Sequence, residues 1–149
     1  MAVSSPAIKL KPGYEAVFTV SEYYDGPRGG LANFRGIPHI YECVFDQQQD
    51  AYSDSFLLMP VGPEILAAAM TNWRIFLKWR EAFDAGQTTL ATHPALPEDK
   101  ARYEESRRRL EQAIAMAKPG AIRARASFEI LGEATAARDV HTKWQVKWG

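Results

Sequence analysis

Apolar residues change their spacing twice along this chain, and no single motif constrains the fold as strongly. From Tyr14 to Val61 they recur at alternate positions in short runs, from Pro63 to Ala117 they follow the helical period, and from Ile122 they return to alternation. Strands, then helices, then strands is the order of a single α+β domain with a mainly antiparallel sheet, whereas repeated βαβ units would mix the two periods throughout.

The first alternating region reads as a meander. Tyr14–Tyr24 (YEAVFTVSEYY) puts Ala16, Phe18 and Val20 on one face and Val17 and Thr19 on the other. A glycine-rich loop follows, Asp25-Gly26-Pro27-Arg28-Gly29-Gly30, and then a short segment, Leu31–Arg35, leads into a turn at Arg35-Gly36. In the next segment, Ile37–Phe45, residues Ile37, His39, Tyr41, Cys43 and Phe45 share a face. Pro38 has no backbone donor, which suits the start of that strand or an open edge. The stretch from Asp46 to Asp54 reads as a polar turn, and Ser55–Val61 as a fourth strand ended by Pro60.

Two helices are expected at about 63–85 and 97–117. Pro63 suits the first helical position, Glu64 the positive end and Gly86 the far cap. Leu66, Ala69, Met70, Trp73, Phe76, Leu77 and Phe83 form a stripe that Ile65, Ala68, Ile75, Trp79 and Ala82 widen. So broad a face needs two partners, the sheet and the second helix. That second helix opens at Pro97-Glu98-Asp99, closes at Lys118-Pro119-Gly120, and turns Tyr103, Leu110, Ala113, Ile114 and Ala117 inward. Beyond it, Ile122 to Ile130 alternates as a strand with one wet face, and a loop over Gly132–Asp139 makes it a hairpin with a last strand carrying Thr142, Trp144, Val146 and Trp148.

Composition narrows the function classes. At 149 residues the chain can bury a full core without staples, and its one cysteine, Cys43, favours a reducing, cytoplasmic setting. Lys plus Arg and Asp plus Glu both number 18, so no net field draws the chain to nucleic acid or to an acidic membrane. The opening residues lack a signal-peptide pattern and no run is long enough to span a bilayer, so a soluble, unexported protein is expected.

No complete catalytic, metal or nucleotide signature is present. The loop at Asp25–Gly30 is followed by a strand, whereas phosphate and dinucleotide fingerprints open a helix. Its candidate chemistry makes the chain a binding or interaction protein that captures an anionic small ligand or an acidic protein group by Arg28 and the amides of Gly29 and Gly30, with Asp25 beside them and Tyr24 supplying apolar contact. The plain alternative is a strand connection in which Asp25 caps local amides and Arg28 pairs with an acid. A second reading makes the chain a small hydrolase or isomerase, with His39 as acid or base, Asp25 or Glu42 orienting it, and Arg28 stabilising a developing anion. A third is an inhibitor or immunity-type partner protein acting through the 46–54 turn.

Other residue groups have simpler explanations. Asp46, Asp50 and Asp54 lack calcium-loop spacing, and His93 and His141 lack companion ligands, so neither a metal nor a cofactor is assigned. Cys43 reads as a small buried hydrophobe. Arg107, Arg108 and Arg109 sit within reach of Glu104 and Glu105 on the same helix, which neutralises the run. Trp148, beside the last residue, is the candidate for a subunit contact, with a homodimer as the arrangement it points to.

Overall fold

The computed structural model describes residues 9–132 and 140–149. Six strands, β1 (Glu15–Tyr23), β2 (Pro27–Phe34), β3 (Ile37–Asp46), β4 (Ala51–Pro60), β5 (Ile122–Ile130) and β6 (Trp144–Trp148), form a closed barrel in chain order. Each strand is antiparallel to its neighbours. Between β4 and β5 run two helices, α1 (Pro63–Asp84) and α2 (Lys100–Ala117), close to the expected bounds. The mixed fold with antiparallel strands is therefore as the residue spacing indicates. Closure is the addition: β1 also pairs with β6, Glu15 opposite Val146 and Ala16 opposite Gln145. Lys11 reinforces the seam, its backbone amide donating to Gln145 Oε1 at 2.9 Å and its ammonium meeting Glu129 at 2.7 Å.

Alternation divides the strand residues between two cores. Inside the barrel lie Ala32, Tyr41, Cys43, Phe56, Leu58 and Val146, with Phe34, Phe128 and Trp148 packed against them. The rings of Tyr41, Phe56, Phe128 and Trp148 meet at centroid separations of 5.3 to 6.4 Å, mostly edge to face or tilted. A fully buried ring removes about 150–250 Å² from water, worth roughly 4–6 kcal/mol before the entropy of ordering is charged against it. On the outer wall, Leu31, Ile40 and Met59 meet Ala69, Leu66 and Ile65 of α1 and Leu110, Ile114 and Ala117 of α2. The broad apolar face of α1 is thus shared between barrel and helix, as its width requires.

Trp148, half-buried, turns its ring into the barrel. It enters the far end of the barrel, and its indole Nε1 donates to the Asn33 carbonyl at 2.8 Å. Its inward direction follows from strand alternation, because Val146, two residues earlier, is fully buried. The 46–54 segment differs from expectation. Strand pairing reaches Asp46 and resumes at Ala51, so the turn is only Gln47 to Asp50, and Asp46 Oδ1 accepts from the amides of Gln48 and Gln49. The glycine-rich loop contracts likewise, since β2 begins at Pro27. Most of the hairpin loop expected at Gly132–Asp139 lies outside the described residues. No helix among the described residues is long and apolar enough to cross a membrane.

Asp99 ties the helical pair together. Its carboxylate, only 3 % exposed, lies 3.0 Å from Lys78 Nζ on α1 and 2.6 Å from Arg102 Nη2 on α2. Lys78 first and Arg102 second hold the Asp99 carboxyl below the ordinary range. A depressed folded value means that the stabilisation is complete above the unfolded pKa of about 3.9 and is lost as pH falls through the folded value. Asp99→Asn is therefore expected to be clearly less stable than the parent in urea at neutral pH, with the gap narrowing in acid. An equal gap at both pH values would contradict this role.

Candidate functional site

The chain between β1 and β2 is the tight turn Tyr24-Asp25-Gly26, with Asp25 at φ 52° and Gly26 at φ 118°. Glycine adopts such angles freely, and aspartate is among the few other residues that tolerate the left-handed region. The turn directs two main-chain carbonyls onto one side chain. Arg28 Nε donates to the Tyr24 carbonyl at 2.7 Å and Nη2 to the Asp25 carbonyl at 3.3 Å. Its guanidinium carbon lies 5.0 Å from the centroid of the Tyr52 ring, and Nη1 is 3.9 Å from Cys43 Sγ. Among the described residues its hydrogen bonds go to carbonyls and a sulfur, not to a carboxylate. The acid pairing of the plain alternative is not what holds Arg28.

Arg28 stands at one mouth of the barrel, over a cavity of about 370 Å³. Phe56, Phe128 and Trp144 line this space together with Tyr52 and the carboxylate-bearing Asp25 and Asp54. Tyr52 is the centre of an aromatic rim, its ring 5.8 Å from Tyr24 and 5.2 Å from Phe45. Asp54 lies on the exposed side of the mouth and faces Arg125 at 4.0 Å. The cationic group thus rests on the Tyr52 ring, and Asp25 and Asp54 line the same cavity.

Gly29 and Gly30 belong to β2 itself, and strand alternation sends them to opposite faces. A Cβ on Gly30 would come within 2.2 Å of the Thr19 carbonyl oxygen and 2.8 Å of the Tyr41 hydroxyl. That inward space is what lets Tyr41 donate to the Thr19 carbonyl at 2.9 Å. Gly29 faces outward beneath Glu22, whose side chain would lie 3.2 Å from an added Cβ.

The proposed acid-base group is not assembled. His39 is 4 % exposed, and its Nδ1 lies 2.7 Å from the Ile37 carbonyl while its ring meets Phe34 edge-on. It pairs with Ala32, several residues up the strand from Arg28, and it does not line the mouth. Glu42 faces the opposite side of β3, where Lys118 Nζ reaches it at 2.9 Å. Asp25 is at the rim on an exposed turn. Burial pushes the Cys43 thiol up, against the opposing influence of Arg28, and the thiol donates to the Ser53 carbonyl at 3.1 Å. It stays protonated near neutral pH and is no ready nucleophile. No cluster of three or more His, Cys, Asp or Glu among the described residues is arranged to hold a metal ion.

The aromatic lining of the mouth was beyond the spacing argument. Phe128 and Trp144 come from the C-terminal strands, and only barrel closure brings them to the loop that carries Arg28. No protein-family model, curated protein or solved structure matches this chain.

The steric role of Gly30 has a direct test. Gly30→Ala is expected to destabilise the barrel by about 3 kcal/mol or more, because the colliding atom is backbone and cannot swing away. Thermal melting within a degree or two of the parent would show that the Tyr41 and Thr19 contact is not needed.

Proposed function

We propose that this protein binds a small aromatic anion, an aryl carboxylate or aryl phosphate, at the barrel mouth. The observation that carries this reading is the state of Arg28, held in place by two main-chain carbonyls and a tyrosine ring yet bonded to no carboxylate. A guanidinium fixed in this way has already lost most of its rotamer freedom, so little ordering cost remains when an anion arrives. Its planar fork suits the two oxygens of a carboxylate or phosphate. Behind it, Phe56, Phe128 and Trp144 line the cavity and supply apolar contact for a ring. Small-molecule sites commonly have about 300–1,000 Å³ and favour barrel mouths, with few polar groups among apolar walls. The mouth matches in volume, at about 370 Å³, and its polar lining is Asp25, Arg28, Ser53 and Asp54 beside the aromatic residues.

Binding alone accounts for these residues. An acid-base mechanism through His39 draws no support from a ring enclosed by Phe34 and the backbone. Benzoate and phenyl phosphate are the probes of choice, with benzyl alcohol as the neutral control. Calorimetric titration is expected to give saturable binding of at least one anion, and Arg28→Gln should weaken it at least about tenfold, the loss typical of a charge-assisted contact. The melting temperature of the variant serves as the fold control. Equal affinity for benzyl alcohol, or unchanged affinity in a folded Arg28→Gln protein, would overturn the proposal.

A further inference from the structure

A second cavity lies on the other face of β2, between the barrel wall and the helices. It encloses about 100 Å³ and is walled by Leu31 and Ile40 from the barrel, and by Ala69, Trp73, Leu110 and Ile114 from the helices. Its polar groups are acidic or neutral. Glu22, Glu42, Asn72, Ser21 and Thr19 line it, and no lysine, arginine or histidine does.

Strand register explains how both carboxylate residues come to border one cavity. Glu22 of β1 and Glu42 of β3 both pair with Gly29, one from each side, so the two acids flank a central position that has no side chain. Adjacent strands are about 4.8 Å apart, which separates the two Cα atoms by roughly 10 Å across the bare glycine. A side chain on Gly29 would press on Glu22 Oε2, Cβ and Cδ at 3.2–3.3 Å, so glycine keeps the floor open and leaves the carboxylate lying over it. Glu42 is already paired with Lys118. Glu22 has no cationic partner in any ion pair among the described residues. Its charge reaches inward as well, since burial first and Glu22 second raise the Tyr41 phenol above its ordinary value.

The helical side supplies matching groups. Asn72 Nδ2 donates to Ser106 Oγ at 3.2 Å, an arrangement that commits the amide nitrogen to α2 and leaves the amide oxygen as an acceptor. Trp73 adds the aromatic surface that a cation prefers. A lining with carboxylate, amide oxygen and indole, and without any basic residue, discriminates by charge. We infer that this cavity binds a small organic cation, a primary ammonium on a short alkyl chain, between Glu22 and Trp73. Its size limits the guest to a few carbon atoms, given that a cavity of about 150 Å³ accommodates a benzene-sized molecule. This site is independent of the proposed anion site, because Arg28 and Gly29 face opposite sides of the strand.

Titration calorimetry with n-butylammonium, set against n-butanol as its neutral counterpart, tests the inference on the full chain. Saturable binding of the ammonium, at least about tenfold tighter than any binding of the alcohol, is expected. Glu22→Gln keeps the volume of an exposed side chain while removing its charge, and should reduce ammonium affinity by at least about tenfold without changing the melting temperature. Trp73→Leu should weaken it separately, with far-UV circular dichroism and the melting temperature showing that the fold persists. Equal binding of butanol and butylammonium would reduce the site to an apolar gap and overturn the inference. Absence of saturable ammonium binding, or an unaltered affinity in Glu22→Gln, would overturn it as well.

Discussion

A barrel of six strands has room inside for its own side chains and little else. Eight strands already give an interior that side chains just fill, and six give less. Here the rings of Tyr41, Phe56, Phe128 and Trp148 occupy the centre, so the inside of this barrel is a core and not a ligand chamber. At the barrel itself, space for a partner lies instead where strands end or where a wall residue is missing. Both situations occur on β2, at the Arg28 mouth and over Gly29.

Strand alternation turns one short run of sequence into two chemically opposite surfaces. Arg28 faces the mouth, Gly29 the helices and Gly30 the interior, and each position has a separate physical requirement. At the mouth, the turn at Asp25 and Gly26 spends its carbonyls on fixing a cation over an aromatic ring. Over Gly29, glycine removes bulk so that carboxylates from both neighbouring strands border a cavity. Inside, the absence of a Cβ at Gly30 admits the Tyr41 hydroxyl to the Thr19 carbonyl, a contact that also registers β3 against the irregular part of β1. The glycines are therefore wall components with different neighbours, rather than a flexible loop.

The elements themselves were legible because hydrophobic period is a local property. Helix α1 is bounded by Pro63 and Gly86 as its capping residues indicate, and the strands from β3 to β5 fall near the alternating runs. Barrel closure was not legible, since it depends on Glu15 and Ala16 meeting Val146 and Gln145 at the other end of the chain, and alternation alone says nothing about which edges join. The same gap hid the site. Arg28 stood out in the sequence for its charge among glycines, yet its companions Phe128 and Trp144 are distant strand residues that read only as core. His39 shows the converse: it lies three residues from Glu42 in sequence, and an odd spacing on a strand puts the two on opposite faces.

The central claim is that Arg28 and the aromatic floor of the mouth act together on one anionic guest. Its most direct test is a two-dimensional amide and indole NMR titration of the isotope-labelled protein with benzoate. Shifts should concentrate on the amides of Asp25, Gly26 and Arg28, on Tyr52 to Asp54, and on the Trp144 indole, moving together along a single saturation curve. Shifts confined to the helices or to Gly29 and Trp73, or no saturable shift at the Trp144 indole, would contradict the claim.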